Sequence, residues 1–189
     1  MMSSRLSNIT ESRTSSIITI IDDESDSRML LSKTIQNIDF GITIKSFQSV
    51  LAALAAIETS PPDLIITDYK MPIMDGIEFT KRIRRLHHCK DIPIIMIIDD
   101  RSLLSDALQG DVTEFLNKHF DRIEYEARCK NILSLRKRKI KLKQGIFKFE
   151  KMICETIEQI LFQKKETLIR LTNACGFKDC ITSEHLLEK

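Results

Sequence analysis

Five short apolar runs, rich in Ile, alternate along the chain with segments whose apolar residues recur at helical spacing. The runs cover residues 17–21, 42–46, 64–67, 94–98 and 112–116. Several are apolar at consecutive positions, which is typical of parallel strands that are covered on both faces. The alternation predicts an α/β fold with a doubly wound, five-stranded parallel sheet, and helices over residues 25–38, 48–57, 76–86 and 101–108.

The chain after Asp121 contains almost no turn signals. Up to about Thr172 the single helix-weakening residue is Gly145, which predicts one long helix or two stacked helices. An apolar stripe with a stutter near its middle runs along this segment, and its members are Leu135, Leu142, Ile146, Phe149, Ile153, Ile157, Ile160, Leu161, Leu168 and Leu171. The stripe favours a second copy of the helix, in a parallel coiled coil, over a helix that folds back within the chain. We therefore expect a homodimer.

The charge of the chain is divided unevenly. The net charge is +2, but residues 1–127 hold 14 Lys and Arg against 20 Asp and Glu, whereas residues 128–189 hold 15 against 7. A basic cluster lies in the second part, at Arg136, Lys137, Arg138, Lys139, Lys141 and Lys143. Because apolar residues are interleaved with it, the cluster is interpreted as a solvated helix surface, with no specific nucleic acid as a partner.

The expected cellular compartment follows from two kinds of segment that were not found in the sequence. Residues 1–15 are polar and are interpreted as a flexible tail without a secretory signal. The longest apolar run, residues 92–98, is too short to cross a bilayer, so a cytoplasmic protein with no membrane partner is expected. The five cysteines are scattered and indicate reduced thiols, and the spacing of Cys175, Cys180 and His185 matches no common zinc pattern.

Charged side chains follow the predicted strands at the edge where parallel strands place their carboxyl ends. The first run is followed by Asp22, Asp23 and Glu24, the third by Asp68, and the fifth by Lys118. Carboxylates gathered there would repel one another unless a cation lay among them, and oxygen ligands suit Mg²⁺. Lys118 can pair with an anion beside the metal. The sequence therefore predicts a site for a phosphoryl group on or next to Asp68.

Three of these segments resemble the main signatures of the CheY-like receiver domain of bacterial two-component response regulators. They are Ile20-Ile21-Asp22-Asp23-Glu24, Thr67-Asp68-Tyr69-Lys70-Met71-Pro72-Ile73-Met74-Asp75-Gly76 and Phe115-Leu116-Asn117-Lys118. The similarity covers about residues 16–125. It implies a phosphorelay protein that accepts a phosphoryl group from a sensor histidine kinase or a phosphotransfer protein.

The resemblance also implies roles for individual residues. Asp68 is expected to be the phosphoacceptor, and Asp22 and Asp23 the acid pair that binds Mg²⁺ together with Asp68. Lys70 is expected to offer its backbone carbonyl to the metal. Lys118 is expected to contact the phosphoryl group.

The chain departs from this family around its switch residues. Phe115 falls on the aromatic switch position, but the Ser or Thr that ends the family's fourth strand is lost, because Ile98 stands there in Ile97-Ile98-Asp99-Asp100. The two acids of that segment add negative charge beside the pocket. His119 follows the site lysine where the family has Pro. Chemistry at Asp68 is expected to survive and switching to be impaired, and the alternative is a pseudo-receiver that acts as a phosphorylation-independent dimerisation module.

A second resemblance lies in the last part of the sequence. Residues 166–174, 177–179 and 183–185 resemble the opening of an HD-GYP cyclic di-GMP phosphodiesterase domain, and residues 99–101 and 125–129 resemble receivers attached to such domains. Of that family's metal ligands only His185 is matched, Gly176 stands where the first ligand Glu would fall, and the HD and GYP motifs are absent from this sequence. The resemblance implies a truncated stub and no phosphodiesterase activity, so an enzyme is not expected.

These observations predict four parts. They are a tail over residues 1–15, a receiver domain over 16–125, a long helical linker and possible coiled coil over 126–165, and an HD-GYP-like stub over 166–189. The expected protein is a response regulator that relays a phosphorylation signal through a dimerising linker to an incomplete output domain.

Overall fold

The computed structural model describes residues 15–38, 41–99, 111–118 and 121–184, with side chains described as far as residue 175. Its strands are β1 (Ser16–Ile21), β2 (Ile42–Phe47), β3 (Leu64–Asp68), β4 (Ile94–Ile98) and β5 (Glu114–Asn117). Its helices are α1 (Ser25–Gln36), α2 (Val50–Thr59), α3 (Gly76–Arg85), a 3₁₀ turn (His87–Cys89) and a C-terminal helix (Arg122–Glu184). The predicted helix over residues 101–108, the tail over residues 1–14 and His119 lie outside the described residues.

The five strands form one parallel sheet in the order β2-β1-β3-β4-β5. All neighbouring pairs are parallel, and the register aligns Ile21 of β1 with Thr67 of β3 and Asp68 of β3 with Ile97 of β4. The predicted fold class, a doubly wound five-stranded parallel sheet followed by a long helix, is confirmed. This order places the carboxyl ends of β1, β3, β4 and β5 along one edge of the sheet.

The core consists of two apolar layers, one on each face of the sheet. One layer joins α1 and the first turns of the C-terminal helix to the sheet, and the other joins α2 and α3 to it. Every residue of β3 and β4 is buried. The consecutive apolar residues of these strands are thus explained by helices that cover both faces.

Several predicted bounds differ from the structure by one or two residues, and two elements each begin two residues later than predicted. The helix predicted from residue 48 begins at Val50, because the Ser49 side chain accepts a hydrogen bond from the Ala52 N–H at 3.5 Å and caps the helix there. The strand predicted from residue 112 begins at Glu114. The Thr113 hydroxyl accepts a hydrogen bond from the Ile94 N–H at 3.0 Å and so takes the place of a regular strand pairing.

The C-terminal helix is a single uninterrupted helix in its described length. Tyr125, Cys129, Ile132 and Leu133 on its first turns are buried in the core. The chain divides into two compact units, residues 1–138 and 139–189. In the second unit the apolar residues of the helix are exposed. The alternative in which the helix folds back within the chain is therefore wrong for the described residues.

No helix in the described part of the chain is both long enough and apolar enough to span a membrane.

Candidate functional site

Three carboxylates meet at the carboxyl edge of the sheet. Asp22 and Asp23 follow β1, and Asp68 is the last residue of β3, which pairs directly with β1. One oxygen of each carboxylate lies within 4.8 Å of the others. Asp22 is fully buried and Asp68 is 4% exposed, whereas Asp23 is exposed. Within the described ranges, no other group of three or more acidic, His or Cys side chains is close enough to hold a metal ion.

The buried Asp22 is held in place by the start of α1. Its Oδ1 accepts a hydrogen bond from the Glu24 N–H at 2.8 Å, and its Oδ2 accepts one from the Ser27 hydroxyl. The Arg28 guanidinium donates to the Asp22 backbone carbonyl at 2.7 Å. Sequence reasoning missed Ser27 and Arg28, although the Ser five residues after a strand-end Asp is a usable signal for such a bond. The orientation of the Asp22 carboxylate is therefore fixed before any ligand binds.

Lys118 reaches this cluster from the end of β5. Its Nζ lies 3.0 Å from an Oε2 of Glu24 and 3.7 Å from Oδ2 of Asp68, and its backbone N–H donates to the Ile98 carbonyl at 2.9 Å. Burial lowers the pKa of Lys118, but the hydrogen bond to Glu24 and the charge of Asp68 raise it more, so its pKa is raised. The ammonium therefore stays charged. The pairing with Glu24 was not predicted from the sequence.

The Asp68 carboxyl lies in an electrostatically unfavourable place for a free anion. Its pKa is raised to about 6, mainly by burial and next by the negative charge of Asp22. Lys118 and the backbone of Tyr69 lower it, and Asp99 raises it slightly. The sequence predicted that Asp99 and Asp100 add negative charge beside the pocket. Asp99 does so, because its charge raises the pKa of Asp68. Asp100 lies outside the described residues. A proton or a divalent cation would relieve the excess negative charge.

The loop between β3 and α3 fixes the backbone of Asp68. The Gly76 N–H donates to the Tyr69 carbonyl at 2.8 Å, and the Asp75 side chain caps α3 by accepting the Glu78 N–H at 2.7 Å. A Cβ on Gly76 would lie 2.6 Å from the Asp68 backbone oxygen, so only glycine fits there. Lys70 lies in this loop, two residues after Asp68, with its side chain exposed.

The predicted switch residues lie on β4 and β5. Ile98 ends β4 and is 2% exposed, and none of residues 94–99 carries a hydroxyl. Phe115 is half-buried on β5, where it is in register with Met96 of β4. The structure thus brings together Asp22, Asp23, Asp68 and Lys118, and at the neighbouring strand end it places an aliphatic side chain.

The raised pKa of Asp68 predicts an unusual pH dependence for the metal-free protein. Because the folded state binds this proton more tightly than the unfolded state, the stabilisation is complete below the unfolded value near 4 and is lost as the pH rises through about 6. We expect Asp68→Asn to raise the free energy of unfolding by about 1–2 kcal/mol near pH 7.5 and by almost nothing near pH 4. Urea unfolding in EDTA at several pH values measures this, and an equal effect at both pH values would contradict it.

Comparison with known proteins identifies the family. The family model of the response regulator receiver domain matches residues 18–130. The chain therefore belongs to the response regulator receiver family, and it carries a receiver domain of two-component signalling.

The curated relatives are longer proteins. The chain is 36% identical over 171 residues to the cyclic di-GMP phosphodiesterase response regulator RpfG of Xanthomonas campestris pv. campestris, and the match covers 89% of this chain and 45% of RpfG. It is 29% identical over 118 residues to the DNA-binding transcriptional regulator NtrC of Salmonella typhimurium, with 62% of this chain and 25% of NtrC covered. The chain spans less than half the length of either relative.

A solved structure supports the same relationship. The chemotaxis response regulator CheY4 of Vibrio cholerae matches with a TM-score of 0.58 and 26% identity, over 63% of this chain and 99% of that one. Together with the match to RpfG, this confirms the predicted resemblance to CheY-like receivers of the kind found in cyclic di-GMP phosphodiesterase response regulators.

Proposed function

We propose that this receiver accepts a phosphoryl group on Asp68 with the help of Mg²⁺. The observation that carries the proposal is the cluster of three carboxylates within 4.8 Å of one another, with the Lys118 ammonium 3.7 Å from Asp68. In this assignment Asp22, Asp23, Asp68 and the backbone carbonyl of Lys70 hold the metal. The donor set is oxygen throughout and is rich in negative charge, which fits a hard divalent cation.

The transfer itself requires little from the protein beyond position and charge. A carboxylate oxygen of Asp68 forms the new bond to phosphorus, and the bond from phosphorus to the donor nitrogen breaks, leaving the electron pair on that nitrogen. Lys118 then pairs with the negative oxygens of the phosphoryl group. Asp22, Asp23 and Asp68 would hold a Mg²⁺ ion, which would supply positive charge against those oxygens. Because the Glu24 N–H and the Ser27 hydroxyl already hold the Asp22 carboxylate, it would bind the metal without changing its orientation.

The donor in this proposal is a sensor histidine kinase or a phosphotransfer protein, as expected for the family. The signal would pass from the receiver along the C-terminal helix, whose exposed apolar residues form a homodimer. For this chain no phosphodiesterase activity is proposed, and the cyclic di-GMP chemistry in the name of RpfG is assigned to RpfG alone.

A pseudo-receiver is the second candidate, and one observation favours it. The buried Ile98 at the end of β4 offers no hydroxyl to a phosphoryl group, and the nearby Asp99 adds negative charge that disfavours a dianion. In that case the domain would serve as a dimerisation module without phosphorylation control.

Labelling with a small-molecule phosphodonor separates the two candidates. The intact protein is incubated with acetyl phosphate in Mg²⁺ or in EDTA, and its mass is measured. We expect a gain of one phosphoryl group in Mg²⁺ and none in EDTA. No gain in either condition would favour the pseudo-receiver.

Replacement of a buried ligand tests the metal site. We expect Asp22→Asn to weaken Mg²⁺ binding at least about tenfold, because it removes one negative charge while its amide oxygen still accepts the Glu24 N–H. Titration calorimetry measures the affinity. Asp26→Asn, on the exposed first turn of α1, is the matched control and should bind Mg²⁺ as the unchanged protein does. Equal affinities for the two variants would refute the assignment.

A further inference from the structure

The exposed apolar residues of the second unit follow a period of eleven residues. From Leu142 the steps are four, three and four, and the same three steps repeat from Ile153 and again from Lys164. We name the positions reached by these steps the seam, and its members are Leu142, Ile146, Phe149, Ile153, Ile157, Ile160, Lys164, Leu168 and Leu171. All but Lys164 are apolar, with exposed fractions from 48% for Ile160 to 66% for Leu142. The extra four-residue step at Ile157 recurs at Leu168 and is therefore part of the repeat.

The side of the helix away from the seam is mainly polar. At eleven residues per three turns, the positions two and six residues after each repeat start lie on the far side of the helix. They are Gln144, Lys148, Glu155, Gln159, Glu166 and Arg170, and all six are exposed. The positions five and nine residues after each start lie on the same side and include the exposed Phe147, Phe162 and Ile169. The seam is apolar at eight of its nine positions and the far side at three of twelve, so the seam is the face that most requires a cover.

A seven-residue repeat fits the same stretch poorly. Continued from Leu142 through Ile153, it would place Thr156, Gln163, Thr167 and Arg170 in the interface. Four polar residues among the core positions would weaken such a pair, whereas the eleven-residue repeat buries a single Lys. The eleven-residue period corresponds to about 3.67 residues per turn, which supports helices that run straight or cross with a right-handed twist.

We propose that the seam is covered by the same seam of a second copy of this chain, in a parallel, in-register pair with an eleven-residue repeat. This rests on the dimerisation in the proposed function and specifies its geometry. Eight apolar residues from each chain, at roughly 60–120 Å² each, would bury about 1,000–1,900 Å². That range matches what a specific, stable interface needs.

The two flanks of the seam determine the orientation. The flank three residues after each repeat start carries only small residues, Gly145, Thr156 and Thr167. The flank eight residues after each start carries larger ones on average, Glu150, Leu161 and Thr172. In a parallel pair each flank faces the opposite flank of the partner, so large residues meet small ones. An antiparallel pair would set large against large and leave gaps between the small residues.

Lys164 gives the pair its register and limits its strength. In register, the Lys164 side chains of the two copies meet in the interface, where their charges repel. A polar residue at one core position is a known means of specifying register at a cost in stability. The dimer is therefore weaker than its apolar residues alone would make it.

Two neighbouring substitutions test the period in the full chain by sedimentation equilibrium. Lys164→Leu completes the seam and should lower the dimer dissociation constant at least about tenfold. Gln163→Leu, one residue away and off the seam, is the matched control and should change it less than about twofold. A larger effect from Gln163→Leu would indicate a seven-residue repeat, and no effect from either would mean that this face is not the interface. Both of these results overturn the proposal.

Native cysteines test the orientation and register. Cys175 follows Leu171 by four residues and continues the seam, whereas Cys154 lies about a quarter-turn away, and both are exposed. In a Cys180→Ser background, oxidised glutathione should join two chains through Cys175, forming one S–S bond as glutathione disulfide is reduced to two thiols. Cys175→Ser should abolish this product, and Cys154→Ser should not.

A product that depends on Cys154, or no product from a protein that sediments as a dimer, would overturn the parallel register. Neither measurement uses Mg²⁺ or a phosphodonor. A failure of phosphorylation at Asp68 and a failure of the seam are therefore distinguished.

Discussion

Replacing Asp68 with Asn is expected to abolish labelling by a phosphodonor, with a loss of at least about a hundredfold. The amide has nearly the shape of the carboxylate but lacks its nucleophilic anion. Because Asp68 is only 4% exposed and its anion is disfavoured by burial and by Asp22, the amide should not destabilise the fold. Intact-mass measurement after incubation with acetyl phosphate and Mg²⁺ gives the labelled fraction, and circular dichroism reports the fold.

The matched control for this loss is Asp26→Asn. Asp26 lies on the exposed first turn of α1 and outside the carboxylate cluster, so its replacement should leave labelling unchanged. If Asp68→Asn retained the label, another carboxylate would be the acceptor, and peptide mapping would locate it.

Gly76→Ala is expected to destabilise the protein by about 3 kcal/mol. The added Cβ would lie 2.6 Å from the Asp68 backbone oxygen and 3.1 Å from the Met96 methyl group. The Met96 side chain can move aside, but the Asp68 carbonyl belongs to β3 and cannot move without disturbing the sheet. The backbone of Asp68 would shift, so labelling should fall together with stability. Urea unfolding measures the change in stability.

The chain offers a matched control in Gly145, which lies inside the C-terminal helix, where an added methyl group would meet nothing within 4 Å. Gly145→Ala should stabilise the helix by up to about 1 kcal/mol, because alanine has the higher helix propensity. The two substitutions add the same methyl group and should have opposite signs. If Gly76→Ala cost no stability, the close approach to Asp68 would not be the reason for glycine at this position.

The sheet was predictable because strands that are buried on both faces are apolar at consecutive positions in the sequence. The run over residues 94–98 reads Ile-Ile-Met-Ile-Ile, and its predicted bounds coincide with those of β4. The acids at the ends of β1 and β3 then followed from the rule that parallel strands bring their carboxyl ends to one edge. The meeting of Asp22, Asp23 and Asp68 was accessible to sequence reasoning for this reason.

The contacts that were not predicted depend on how far individual side chains reach. They leave no sign in the spacing of apolar residues along the sequence. The contacts of Ser27 and Arg28 with Asp22, and of Glu24 with Lys118, join residues whose neighbours look like ordinary helix starts and loops. The start of β5 was misplaced because a Thr113 side chain substitutes for a backbone partner. These contacts depend on the local geometry of the side chains, which a single sequence does not specify.

The ion pair between Glu24 and Lys118 makes entry to the pocket a competition for one ammonium group. The pair joins the segment after β1 to the residue after β5, and the same ammonium lies 3.7 Å from Asp68. Because the Glu24 side chain is 60% exposed, the pair is worth at most about 1 kcal/mol and opens readily. An incoming phosphoryl group offers two negative charges where Glu24 offers one. If Asp68 accepts a phosphoryl group as proposed, we expect this competition to favour a dianion over the singly charged anions that are abundant in solution.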